Sequence, residues 1–248
     1  MMSNVSIITG AAGGIGRALC NTFASAGYDV IAVDIRVPKS LDGRTTYVEL
    51  DLDRYCSNPD YRSNANRRLR DAVGGRKIAA LVNNAAIQIV KPVERLTAED
   101  WTSTLNVNLL APFLLTQAFL KDLEAAAGAV VNIASIHATL TKPEFVAYAT
   151  SKAAFVGMTR SMAVELGKRV RVNAICPAAI DTDMLRAGFV GKEREFRLLE
   201  TAHPVDSIGA PEDVAKLAVF LASSNSPFLT GGVYSVDGAI GSRLHDPV

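Results

Sequence analysis

The chain has 248 residues, 49% of them hydrophobic and 21% charged, with a net charge of +1. Such a length can bury one large core, and the composition is that of a globular protein rather than a disordered or fibrous one. The near-neutral charge gives no electrostatic case for nucleic acid or an anionic membrane, and no apolar run reads as long enough to span a bilayer. Three cysteines, Cys20, Cys56 and Cys176, are odd in number and form no C-x-x-C pair, which predicts reduced structural thiols and a cytoplasmic protein. The N-terminus lacks a charged region leading into an apolar leader core; it enters a strand at once.

Val5-Ser-Ile-Ile-Thr9 predicts that first strand. Gly10-Ala-Ala-Gly13-Gly14-Ile15-Gly16 follows, then a helix with apolar positions at Ile15, Leu19, Phe23 and Ala26. A glycine-rich turn between strand and helix lets the backbone approach a phosphate, and the helix N-terminus supplies free donors. Residues 28–33 predict a second strand ending at Asp34, twenty positions beyond Gly14, where an acid can bond the ribose hydroxyls of NAD. Asp34 would repel the 2′-phosphate of NADP and Gly13 is not basic, so NAD is favoured over NADP; Arg17 and Arg36 are the cations that argue the other way.

Residues 46–50 read as a third strand, followed by Asp51 and Leu52. The polar stretch 53–66 reads as a surface loop entering a helix near 64–73. Residues 77–82 predict a fourth strand, and Asn83-Asn84-Ala85-Ala86 after it is small enough for a ligand to approach the backbone. Thr97-Ala-Glu-Asp100 has the form of a capping box for a helix carrying Trp101, Leu105, Leu109 and Phe113. Pro112 should bend or divide that helix, and Asn108, among apolar positions, needs buried partners.

The rest of the chain is arranged around residues 135–152. An apolar run, 129–134, predicts a buried strand leading to Ser135. Tyr148-Ala-Thr-Ser-Lys152 opens a helix rich in Ala, Met and Leu over 147–166, in which positions four apart share a face. A phenol has a pKa of about 10 and is a poor base near neutrality. A cation beside it favours the phenolate, so Lys152 next to Tyr148 suggests a general acid/base, with Ser135 holding the reacting oxygen. Residues 170–176 predict a sixth strand, ending at Pro177-Ala178; residues 183–207 read as a mobile helical flap over the site. Pro211 starts a further helix, and 233–236 is a last strand.

Strands alternating with helices predict an α/β fold: a single domain, residues 1–248, built as a Rossmann-type, doubly wound parallel sheet of about seven strands with helices on both faces. The glycine turn, Asp34, Asn83, Ser135 and Pro177 all fall at carboxyl strand ends, the edge where such sheets bind ligands.

In these motifs the chain resembles the short-chain dehydrogenase/reductase family over nearly its whole length. The family's T-G-x-x-x-G-x-G appears as Thr9-Gly10-Ala-Ala-Gly-Gly14-Ile15-Gly16. Its N-N-A-G appears as Asn83-Asn84-Ala85-Ala86 and its P-G as Pro177-Ala178, each with alanine in place of the last glycine. The resemblance implies a catalytic set of Asn108, Ser135, Tyr148 and Lys152. It implies that the cofactor meets Gly10, Gly14, Ile15, Gly16, Asp34, Asp51, Leu52, Asn83, Ala85, Tyr148, Lys152, Pro177, Ile180 and Thr182. Asp51 would bond the adenine amino group, Ile180 and Thr182 the nicotinamide carboxamide, and Lys152 the nicotinamide ribose while lowering the Tyr148 pKa. Asn108 would hold a water linking Lys152 to solvent.

These features predict an NAD-dependent oxidoreductase of a secondary alcohol or the corresponding carbonyl compound, in the sugar, polyol, hydroxy acid or cyclic alcohol class. The alternatives are a catalytically idle dinucleotide sensor or scaffold, and an NADP-dependent carbonyl or 3-oxoacyl reductase. His137 is the candidate substrate contact; Lys142, Glu144 and Arg186 are weaker ones, and His203 reads as a flap residue. No spacing suits a metal. The helices over 101–126 and 147–166 are apolar around most of their circumference, which predicts a homotetramer or homodimer.

Overall fold

The computed structural model describes residues 4–38 and 43–244. Seven strands form one parallel sheet: β1 (Val5–Thr9), β2 (Asp29–Asp34), β3 (Thr45–Glu49), β4 (Ile78–Asn83), β5 (Ala129–Ile133), β6 (Arg171–Pro177) and β7 (Val233–Val236). Their order across the sheet is β3-β2-β1-β4-β5-β6-β7, so the chain runs outward from β1 to one edge and then returns to build the other. β1, β4 and β5 are buried along their whole length, which is why they read as continuous apolar runs rather than alternating ones. The alternation is between two buried faces: Val5 and Ile7 join one core, Ile8 the other.

The Ile8 core is closed by α1 (Gly14–Ser25) and α9 (Pro211–Ala222), through Leu19, Phe23, Val214, Ala218 and Leu221. The opposite face is covered by α3 (Pro59–Val73), α5 (Ala111–Ala125) and α6 (Val146–Leu166), through Leu69, Leu115, Phe119 and Leu166. Burying a side chain such as Phe119 stabilises the fold by about 1.5–3 kcal/mol. The expected single-domain, doubly wound parallel sheet is what forms.

Two expectations need correction. The stretch 53–66 is not a loop: α2 (Leu52–Ser57) and α3 occupy it. Asp51 caps α2, its carboxylate accepting from the N–H groups of Asp53 and Arg54, and Asn58 caps α3 with Pro59 in its first turn. Ahead of Pro112 the helix changes character: α4 (Ala98–Leu105) runs into α5 through a π turn at Asn106–Leu110, in which Ala111 N–H reaches back to the Asn106 carbonyl, and Pro112 stands in the first turn of α5. The second correction concerns length. The helical run Ala98–Ala125 spans 28 residues with a mean hydropathy of 1.2 over its most apolar stretch, enough by length and composition to cross a membrane. Its Leu115, Phe119 and Leu123 are buried against the sheet, so here it serves as a core helix.

A buried polar ladder sets the register of α6 against the sheet. Asn83 Nδ2 donates to Asn132 Oδ1 at 2.9 Å, and Asn132 Nδ2 donates to Thr159 Oγ1 at 2.9 Å. Apolar packing alone tolerates sliding; paired buried amides do not, because any slip leaves them unsatisfied. The ladder therefore fixes where the first turns of α6 meet the ends of β4 and β5.

Candidate active site

The glycine turn follows β1. Gly10 has φ 69°, and a Cβ on Gly16 would lie 1.9 Å from the Gly10 carbonyl oxygen, so the turn closes on itself only with glycine there. α1 begins after Gly13 with no side-chain cap and no acid in its first turn, so its N–H groups are free for an anion. At the end of β2 the Asp34 carboxylate takes Ala12 N–H at 2.9 Å and Arg36 N–H at 2.9 Å. Arg17 is engaged elsewhere, donating to the Ala12 carbonyl at 3.0 Å and to Asp183 at 3.1 Å. The segment after β6 passes beside the turn: a Cβ on Gly14 would lie 2.7 Å from Thr182 Cγ2, and Thr182 caps α7 (Asp183–Ala187). A narrow, cap-free cradle with an acid at the next strand end fits the phosphates and ribose of a dinucleotide.

The other expected cofactor positions lie along the same edge, with differences in orientation. Thr9 Oγ1 accepts from both Asn84 N–H and Ala85 N–H, holding Ala85 against the Gly10 turn. Asn83 faces inward: its side chain is buried and bonded to Asn132, so only its backbone borders the cleft. Leu52 and Ile180 likewise turn their side chains into the cores. Asp51 spends one carboxylate oxygen on the α2 cap. Pro177 ends β6, and Ala178 N–H bonds Val236 O at 3.0 Å.

Ser135 follows β5 and is nearly buried; its Oγ accepts His137 N–H at 3.2 Å. Lys152, 1% exposed, lies one turn beyond Tyr148 on α6, its ammonium 5.6 Å from the Tyr148 ring centroid. Its Nζ donates to the Ile133 carbonyl at 2.9 Å, and burial pushes its pKa down to about 8. The expected lowering of the Tyr148 pKa is not found. Burial pushes the phenol up, with a hydrogen bond to Ser135 pulling the other way.

Asn108 stands in the π turn, 1% exposed. Its Oδ1 accepts Ile87 N–H at 2.9 Å, and its Nδ2 donates to Ile87 O and to Ser151 Oγ, both at 3.0 Å. Ser151 Oγ in turn donates to the Tyr148 carbonyl at 2.7 Å. Asn108 thus braces the loop after β4 against the start of α6. Both amide hydrogens are committed to protein, so the Asn108 side chain has none left to donate to the expected water.

Two participants were not legible in the sequence. Ser151 lies three positions after Tyr148, a spacing that hints at its back-bond. Phe145 stacks on His137 and has no local signal at all. Among the described residues no group of three His, Cys, Asp or Glu side chains is placed to hold a metal.

A family profile described as enoyl-(acyl carrier protein) reductase matches residues 10–240. The chain is 37% identical to the 3-oxoacyl-[acyl-carrier-protein] reductase FabG of Thermotoga maritima, over 95% of this chain and 97% of that one. It is 35% identical to the D-threitol dehydrogenase of Mycolicibacterium smegmatis, over 94% and 91%. The ligand-free aldohexose dehydrogenase of Thermoplasma acidophilum superposes with a TM-score of 0.90 at 31% identity, covering 100% of this chain and 97% of that one. A 4-hydroxyisoleucine dehydrogenase complexed with NADH gives 0.87 at 29%, covering 98% and 100%. With this fold, this glycine turn and these relatives, the chain belongs to the short-chain dehydrogenase/reductase family, oxidoreductases that act on alcohol and carbonyl groups with a nicotinamide dinucleotide.

Proposed function

We propose that this protein is an NAD-dependent dehydrogenase of a secondary alcohol, acting on a sugar, polyol, hydroxy acid or cyclic alcohol. The observation that carries this reading is the meeting of Ser135, Tyr148 and Lys152 at the end of β5, under the Asn108 brace and on the same sheet edge as the glycine turn. Tyr148 takes the hydroxyl proton in oxidation and returns it in reduction, while Ser135 bonds the same oxygen. The nicotinamide supplies or accepts the hydride. Because burial holds the Tyr148 phenol protonated, it acts as a base only with positive charge close by, and Lys152 is the residue within reach. Residues 183–207 act as a flap, anchored at its start by the Arg17–Asp183 bond.

NAD is favoured because the Asp34 carboxylate stands against the Ala12 amide, where a 2′-phosphate would meet like charge, and because Arg17 is held by Ala12 and Asp183. The FabG relative favours a second reading, an NADP-dependent reductase of a 3-oxoacyl substrate. Arg36, next to Asp34, is the cation that would serve it.

The protein is read as cytoplasmic, with three free thiols, and as a homotetramer or homodimer. Exposed Leu110, Phe113 and Val164 on the helices of α4–α6 support self-association, and a monomer by light scattering at micromolar concentration would refute it.

The test is reduction of NAD and of NADP with a panel of sugars, polyols, hydroxy acids and cyclic alcohols, using the natural protein and Tyr148→Phe. Turnover with NAD that disappears in the variant, with NADH binding retained, is the expected result. Preference for NADP would overturn the Asp34 argument, and NADH binding without any turnover would favour the idle sensor.

A further inference from the structure

Phe145, the residue before α6, gathers three groups around its ring. His137 stacks on it with centroids 4.7 Å apart, Tyr148 meets it edge-on at 6.1 Å, and the Lys142 ammonium lies 4.6 Å from its centroid. His137 also meets the Tyr148 ring edge-on at 5.8 Å, so three rings close into one cluster around the acid/base. The Lys142 charge stands over that cluster, on the Phe145 ring that Tyr148 also meets.

The loop carrying this charge is held in place. Glu144 has a left-handed backbone, φ 72°, and its carbonyl accepts Lys91 N–H at 3.1 Å, tying the loop to the one after β4. Among the described residues Lys142 forms no ion pair, whereas Lys91 nearby is paired with Asp100 at 2.7 Å. The Lys142 ammonium is exposed at the surface over the Phe145 ring with no carboxylate paired to it, which leaves it open to an anion.

His137 complements it. Burial and the Lys142 charge both push its pKa below the ordinary 6.5, so at neutral pH the imidazole is uncharged. No carboxylate is among the groups acting on it, although Glu144 is only two positions from Lys142. Its Nδ1 is buried without a partner, so the ring has an unmet hydrogen bond, and a neutral imidazole suits a hydroxyl.

We propose that the substrate is an anionic hydroxy acid whose carboxylate is bound by Lys142 and whose intervening hydroxyl is bound by His137, with the reacting carbinol carbon at Tyr148 and Ser135. The inference rests on the dehydrogenase reading above. In the reaction the carbinol C–H and O–H bonds break, the hydride reduces the nicotinamide, the proton goes to Tyr148, and the product is the keto acid.

The test compares matched pairs of acid and uncharged polyol, threonate with threitol and gluconate with glucitol, for the natural protein, Lys142→Gln and Lys142→Arg. The acid of a pair should be preferred, and Lys142→Gln should raise its KM about tenfold, the effect of one ion contact of roughly 1.4 kcal/mol, with little change in kcat. Lys142→Arg should recover most of the loss, and added salt should weaken the preference. Polyols turned over as well as acids, or a Lys142→Gln variant that changes both members of a pair alike, would overturn the carboxylate site and leave the dehydrogenase reading standing. No turnover of either pair would remove this inference, and no turnover of any member of the wider panel with either cofactor, despite NADH binding, would remove the dehydrogenase reading as well.

Discussion

Replacing Lys152 by Met should make the protein more stable and nearly inactive. The ammonium is 1% exposed, and burial brings its pKa from 10.5 to about 8. At 1.36 kcal/mol per pH unit, holding the charged form in the fold at neutral pH costs roughly 3 kcal/mol. Methionine fills a similar volume without that penalty but gives up the bond to the Ile133 carbonyl, worth about 1 kcal/mol or somewhat more. The net gain is roughly 1–2 kcal/mol, or about 2–8 °C in Tm for a chain of this size.

The pH dependence carries a definite sign. Between the folded value near 8 and the unfolded value of 10.5 the unfolded chain binds more protons, so the stability of the natural protein rises through that window. The Met variant has no such rise, and its advantage should vanish by about pH 10.5. Urea unfolding of both proteins at intervals from pH 7 to 10 measures the gap directly. Turnover should fall by about 10²–10⁴, the usual contribution of a group that supports acid/base catalysis. A variant less stable than the natural protein at pH 7, or a gap that ignores pH, would refute the reasoning.

Asn108→Leu leaves Ile87 N–H and C=O without their partners and frees the start of α6, so stability should fall by about 2–4 kcal/mol in urea unfolding; a loss below about 1 kcal/mol would show that the brace is dispensable. Asp34→Ala removes the carboxylate that holds Ala12 N–H. Its KM for NAD should rise while kcat/KM for NADP relative to NAD increases, and an unchanged cofactor ratio would sink the electrostatic account of NAD preference.

Much of the site was readable in the sequence because its parts are local. Ser135, Tyr148 and Lys152 each sit at a strand end or on one helix face, and the glycine turn is contiguous; all of them reach the carboxyl edge once the strands are parallel. Capping was the weak point. Asp51 and Asn58 start two helices in a stretch whose polar composition suggested a loop, since a polar residue that bonds the backbone looks the same in sequence as one that faces water. The thiols Cys20 and Cys56 show a similar limit: burial pushes both up to about 12, which makes them inert, and only the packing reveals it.

The sequence by itself determined the strand order along the chain, the Rossmann-type parallel sheet and the chemical groups gathered at its edge. These follow from apolar runs bounded by glycine turns, a pattern short enough to be read within each segment. Tertiary structure decided the direction in which buried groups point. Asn83 turns toward Asn132 across the sheet, Lys152 turns to the Ile133 carbonyl, and Phe145 brings His137, Tyr148 and Lys142 together. Each outcome depends on a partner that the folded chain supplies, because a buried polar group must find its hydrogen bond wherever the packing places one.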